Sequence, residues 1–139
     1  MKNFLVILTV TVALVGFYMS PATASMADSF IQPHTAGGIK YVAGGVGLGE
    51  RAELVKMEKN YNLRLIFATK SGAYLANVKI EISGPDNKVL LDTTANGPWL
   101  FAKLPEGHYK VAVALHNEKK VKDITIDKKS RLMMFHLKA

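Results

Sequence analysis

Leu104-Pro105-Glu106-Gly107-His108-Tyr109-Lys110-Val111 reads as a tight turn that runs into a β-strand. Pro105 presets its own φ, and Gly107 is free to take a positive one where the chain reverses. Beyond the turn, Tyr109, Val111, Val113 and Leu115 occupy alternate positions, with His108, Lys110, Ala112 and Ala114 between them. Strand side chains alternate between the two faces, so this period of two sets one apolar face against a core. Tyr109 is placed to bury its ring while its hydroxyl reaches backbone near a sandwich corner. These are demands of a fold, and none of them is chemistry.

On either side of this stretch the same alternation repeats. Leu63 to Ala68 is an apolar run, and Ser71-Gly72 turns the chain. Val78, Ile80 and Ile82 alternate with Asn77, Lys79 and Glu81 in a strand over Ala76 to Ser83, which Gly84-Pro85-Asp86-Asn87 ends. Val89 to Thr93 follows, then the turn Ala95-Asn96-Gly97-Pro98 and a strand from Trp99 to Lys103. Val121, Ile124 and Ile126 mark a further strand whose spacing slips, which predicts a bulge, and Leu132 to Leu137 closes the chain. Seven short strands with regular turns predict a mainly β, seven-stranded antiparallel β-sandwich. Glu50 to Tyr61 carries Leu54, Met57 and Tyr61 on one stripe, with acids early and lysines late, and so predicts one N-terminal amphipathic helix. The segment 25–49 is rich in glycine and reads as a lead, leaving helix and sandwich to 50–139. Periodicity does not settle whether its part 37–49 is ordered.

At its start the chain has Lys2, an apolar run from Phe4 to Tyr18, and Ala22-Thr23-Ala24 after Ser20-Pro21. That order is a signal peptide over 1–24, with Ala22 and Ala24 as the small residues at the cleavage site. The run is shorter than the roughly 20 residues of a spanning helix, so no membrane span is expected after cleavage. The expected location is periplasmic or secreted. There is no cysteine, which excludes disulfides, thiolate metal sites and a cysteine nucleophile. The net charge is +7, with its densest clusters at Lys119-Lys120-Lys122 and Lys128-Lys129-Arg131. Both clusters are expected at turns. With no aromatic residues interleaved and an exported location, they point to solvated tips or guarded strand edges, and no nucleic acid is expected as a partner.

The stretch Leu104 to Val111 resembles the Leu-x-x-Gly-x-Tyr-x-Val corner of carboxypeptidase regulatory-like domains, which have a transthyretin-like sandwich. Ala73 to Ile80 is similar to a neighbouring strand of that family, and Asn96-Gly97-Pro98-Trp99 stands where it carries an Asp-Gly or Asn-Gly turn. The order of motifs also resembles a group of small exported proteobacterial proteins. The resemblance covers roughly 62–139 and implies an accessory domain without catalytic residues.

The residues themselves are poor in chemistry. His34, His108, His116 and His136 lack the spacing of a zinc site, no nucleophile elbow is present, and Gly45-Val46-Gly47-Leu48-Gly49 lacks the closing Lys-Ser/Thr of a phosphate loop. No enzyme activity, metal or cofactor is expected. The expected role is a non-catalytic envelope module that binds a protein partner, with a carbohydrate-binding module for envelope polysaccharide as the alternative. The candidate binding residues are Tyr74, Asn96, Gly97, Pro98 and Trp99, which belong to loops at one end of the sandwich. Trp99 has two readings. Its alternation with Phe101 suits a core, and its place beside Gly97-Pro98 suits a stacking platform with Tyr74.

Overall fold

The computed structural model describes residues 31–139. The expected signal peptide, its cleavage residues Ala22 and Ala24, and the first residues of the lead lie outside the described residues. In chain order the elements are β1 (His34–Ala36), β2 (Ile39–Gly44), helix α1 (Leu48–Met57), a 3-10 turn (Glu58–Asn60), β3 (Leu63–Ala68), β4 (Val78–Ser83), β5 (Val89–Ala95), β6 (Trp99–Lys103), β7 (Gly107–Leu115), β8 (Glu118–Ile126) and β9 (Arg131–His136). They form a five-stranded sheet, β1-β2-β6-β3-β9, and a four-stranded sheet, β5-β4-β7-β8. The protein is therefore mainly β, with two facing sheets and one helix.

The two sheets depart from the expected sandwich in three respects. There are nine strands among the described residues where seven were expected. The two extra strands come from the glycine-rich lead. Gly37 and Gly38, at φ +56° and +79°, make the two-residue hairpin turn that joins β1 to β2. The sandwich is also not wholly antiparallel, because β9 runs parallel to β3, with Leu65 opposite Met133 and Phe67 opposite Phe135. Lastly, β8 holds register with β7 from Glu118 to Ile126, and the irregularity lies in the pairing of β4 with β5, at Ile82 and Ser83, where Leu90 of β5 is the extra residue. The slip at Val121 marks a residue on the outer face, where it is exposed, while Ile126 is buried.

Alternation builds the main core. Leu63, Leu65 and Phe67 of β3, Leu100 and Ala102 of β6, and Phe135 of β9 face Val78, Ile80 and Ile82 of β4 and Val111 and Val113 of β7. Each Val, Leu, Ile or Phe among them contributes about 1.5–3 kcal/mol of burial. With no cysteine in the chain, that burial carries the stability. Tyr109 sits at the corner and donates from its hydroxyl to the Pro105 carbonyl at 2.6 Å.

The alternate residues of the five-stranded sheet build a second, smaller core on its outer face. Val42 of β2 and Phe101 of β6 pack there with Leu54 of α1, Ile31 and Tyr61, and with the partly buried Met57 and Trp99. The expected stripe of Leu54, Met57 and Tyr61 thus docks the helix, which makes a third layer over part of the sheet. The first lysine cluster lies inside β8, an edge strand, rather than at a turn. Lys128 and Lys129 do occupy the connection to β9.

Candidate functional site

The outer face of the five-stranded sheet is read from register. One cross-strand row runs Gly44, Trp99, Ile66 and Met134, and the next runs Val42, Phe101, Arg64 and Leu132. Helix α1 covers the Val42 and Phe101 end. The far end, toward β9, is open, so Leu132 and Met134 remain exposed.

Trp99 stands where the helix, the sheet and one loop meet. Its indole stacks on Phe101 at 6.0 Å and meets Tyr74 edge-on at 6.5 Å and 88°. Tyr74 is held by local structure rather than by a loose loop. Ala68 bridges to it, and the Leu75 N–H donates to the Phe67 carbonyl at 3.0 Å. The turn before it is closed by Thr69, whose Oγ1 accepts from the Ala73 N–H at 3.1 Å. The Arg51 guanidinium of α1 lies 5.3 Å from the Tyr74 ring centre, within cation–π range.

Two glycines allow this approach. A Cβ on Gly45, at φ +95°, would crowd the Trp99 indole at 3.3 Å, and one on Gly97 would lie 2.3 Å from the Gly44 carbonyl oxygen. The connection from β2 into α1 is fixed by Glu50, whose carboxylate accepts from the N–H groups of Gly45 and Val46 at 2.9 and 3.1 Å. A carboxylate at a helix start also suits the helix dipole.

The structure therefore brings Tyr74 and Trp99 into contact and divides the other candidates. Asn96 is exposed. Gly97 and Pro98 are buried, and the Pro98 carbonyl accepts from the Phe67 N–H at 2.8 Å. They shape the site by holding β6 against β3 and present little of themselves to solvent. Trp99 is half-buried, on the same face as Phe101, as alternation implied. That face belongs to the outer core under the helix, not to the core between the sheets. Its Nε1 is enclosed with no acceptor among the described residues, so the indole shows carbon to its surroundings.

Beside Trp99 a cleft of about 80 Å³ opens between α1 and β9. Val55 and Leu132 form its walls, Ile66, Trp99 and Phe101 its floor, and the Glu58–Arg64 ion pair, at 3.0 Å, borders it. Val55, Leu132, Met134 and Ile66 were not among the candidates read from the sequence. A signal was present: Leu132-Met133-Met134-Phe135 is apolar on both faces, which marks a strand whose outer face has apolar neighbours.

Of His108 and His136, the first lies on the far sheet and the second on this face, where it follows Met134 by two residues. His108, on β7, pairs its Nδ1 with the Thr125 hydroxyl at 2.9 Å on the opposite sheet, and His136 lies on β9. Among the described residues no group of three His, Asp or Glu side chains is placed to hold a metal ion, and no helix is long and apolar enough to cross a membrane. No family model and no curated protein matches the chain.

Proposed function

We propose that this protein is a non-catalytic accessory module of the cell envelope, exported to the periplasm or beyond, that binds a protein partner through the face around Tyr74 and Trp99. One observation carries the reading. A tryptophan meets a tyrosine edge-on, an arginine lies over that tyrosine, and exposed aliphatic residues stand beside them. Tyr, Trp and Arg dominate the binding energy of protein interfaces, and contiguous apolar surface marks docking sites on folded domains. Export is part of the proposal and rests on the reading of residues 1–24. Kinship with the carboxypeptidase regulatory-like sandwiches is likewise part of it, supported by the 104–111 corner and the two facing sheets.

The test is a photo-crosslinking amino acid placed at Tyr74 in the producing cell, with a second placed at the exposed Thr94 of the other sheet as a control. One dominant protein adduct from position 74 and none from 94 is expected. An adduct pattern that is the same at both positions removes the assignment of this face. No adduct at either, together with a shift of Trp99 fluorescence on adding envelope polysaccharide, moves the function to glycan binding.

A further inference from the structure

The apolar face extends beyond the aromatic pair. On α1, Leu48 and Val55 are seven residues apart, two helical turns, and stand 80% and 51% exposed, while Leu54 on the docked side is fully buried. The helix thus has a second apolar stripe that its own sheet does not use. Across the cleft, Leu132 and Met134 are 53% and 42% exposed on β9, with Ile66 and Trp99 between them in register. The result is a groove with a helix for one wall and an edge strand for the other.

The charges beside this groove are not balanced in kind. Arg64 is matched by Glu58, and the Glu50 carboxylate is taken by two backbone N–H groups. Arg51, in contrast, lies over the Tyr74 ring and forms no ion pair with a carboxylate among the described residues. The chain as a whole carries +7. A second copy of this chain would bring a second Arg51 and a second positive field to the same patch, because a two-fold interface pairs a surface with itself. A sugar would find few hydrogen-bonding groups on a floor of Ile66, Phe101 and the carbon face of Trp99.

We propose that the groove between α1 and β9 docks a protein segment that seats one aliphatic or aromatic side chain over Ile66 and Trp99 and carries carboxylates beside it, toward Arg51. This rests on the protein-binding reading above and names the chemistry of the partner. The cleft takes a single side chain of that kind, and the acidic flanks supply the orientation and the faster encounter that complementary charge gives.

Trp99 is the only tryptophan in the chain, so its emission reports occupancy of the groove directly. The experiment uses two synthetic peptides with the same aliphatic core, one flanked by glutamates and one by lysines. The glutamate peptide is expected to shift Trp99 emission saturably, and to bind at least about tenfold more tightly than the lysine peptide, with the gap closing as salt rises. Val55→Asn and Leu132→Asn, both at exposed positions, are expected to abolish the shift at unchanged melting temperature. Val121→Asn on the other sheet is expected to leave it intact. Equal binding of the two peptides, no binding of either, or concentration-dependent self-association that removes the exposure of Trp99 overturns the proposal. If the Tyr74 crosslink captures a partner while both peptides fail, the partner reading survives and the acidic, apolar segment does not.

Discussion

Only a hydrogen fits at Gly97. A Cβ there would meet the carbonyl oxygen, carbon and α-carbon of Gly44, at 2.3, 2.4 and 2.9 Å, and backbone cannot move aside as a side chain can. Gly97 is not among the residues with positive φ, so what it needs is room and not an unusual conformation. Gly97→Ala is expected to destabilise the fold by about 1–3 kcal/mol, read as a lower urea midpoint at unchanged slope. Gly49→Ala, inside α1 with nothing within 4 Å of the new Cβ, is expected to stabilise by up to about 1 kcal/mol. If the two variants moved the midpoint alike, the close approach of β2 to the 95–98 turn would be wrong. The sequence marked Gly97 as a turn residue but not this reason for it, because the neighbour it must admit lies in a strand more than fifty residues earlier. Tyr109 was fully legible, since its partner is four residues away. Removing its hydroxyl in Tyr109→Phe breaks the bond to Pro105 at a cost of about 1 kcal/mol.

At the level of elements, the strands with strict alternation were legible, and the two short or glycine-flanked ones were not. β2 is a run of Ile39-Lys40-Tyr41-Val42-Ala43 between two glycine pairs, which is a strand with hairpin punctuation, but the density of glycine hid it. The lysines of β8 needed the topology to be understood. Lys122 leaves its edge strand, donates to the Met134 carbonyl of β9 at 2.8 Å, and lies over the Phe135 ring at 4.7 Å. It closes the open side of the sandwich at one point, and it guards an edge nine residues long. Lys122→Val is therefore expected to raise light scattering with protein concentration while changing the melting temperature little. The same side is held by two carboxylates. The Lys129 N–H, and then the Arg131 guanidinium, hold Asp127 below the ordinary carboxylate range, and the Lys138 N–H, with Lys120, does the same for Glu118. A group whose folded pKa is depressed adds stability above its unfolded pKa and loses it as pH falls through the folded value. The β8–β9 connection is thus expected to loosen as pH falls from the ordinary carboxylate range down through the lowered folded values. Asp127→Asn with Glu118→Gln should flatten the acid limb of a plot of melting temperature against pH and leave the neutral plateau nearly flat. Both side chains are partly open to solvent, which screens their charges, so the effect is small.

For the whole molecule, the sequence carried the two-sheet architecture and the docking stripe of the helix. The parallel pairing of β9 with β3 and the second core on the outer face were beyond it. Both depend on which distant strand lies alongside, and alternation within a strand says nothing of its neighbour. This matters for where the folding unit begins. Reading 25–49 as a lead put the helix and sandwich in 50–139, yet β2 supplies Ile39 to the main core and Val42 to the outer one, and it pairs with β6 over Lys40 to Gly44. Without β2, β6 becomes an edge strand, Phe101 and Leu54 lose a buried neighbour, and the Tyr41 hydroxyl no longer meets Thr93 across the two sheets at 3.3 Å. Losing two fully packed aliphatic side chains alone costs about 3–6 kcal/mol, a large share of the 5–15 kcal/mol that holds a typical domain together. A chain beginning at Glu50 is therefore expected to give poorly dispersed amide resonances and no cooperative melt, while one beginning at Ile31 keeps both. A sharp, cooperative transition from the shorter chain would mean that the β1–β2 hairpin is an accessory to a sandwich complete without it. The Trp99 face, which leans on Gly44 and Gly45, would then have to be tested in that shorter chain, where half of its support is gone.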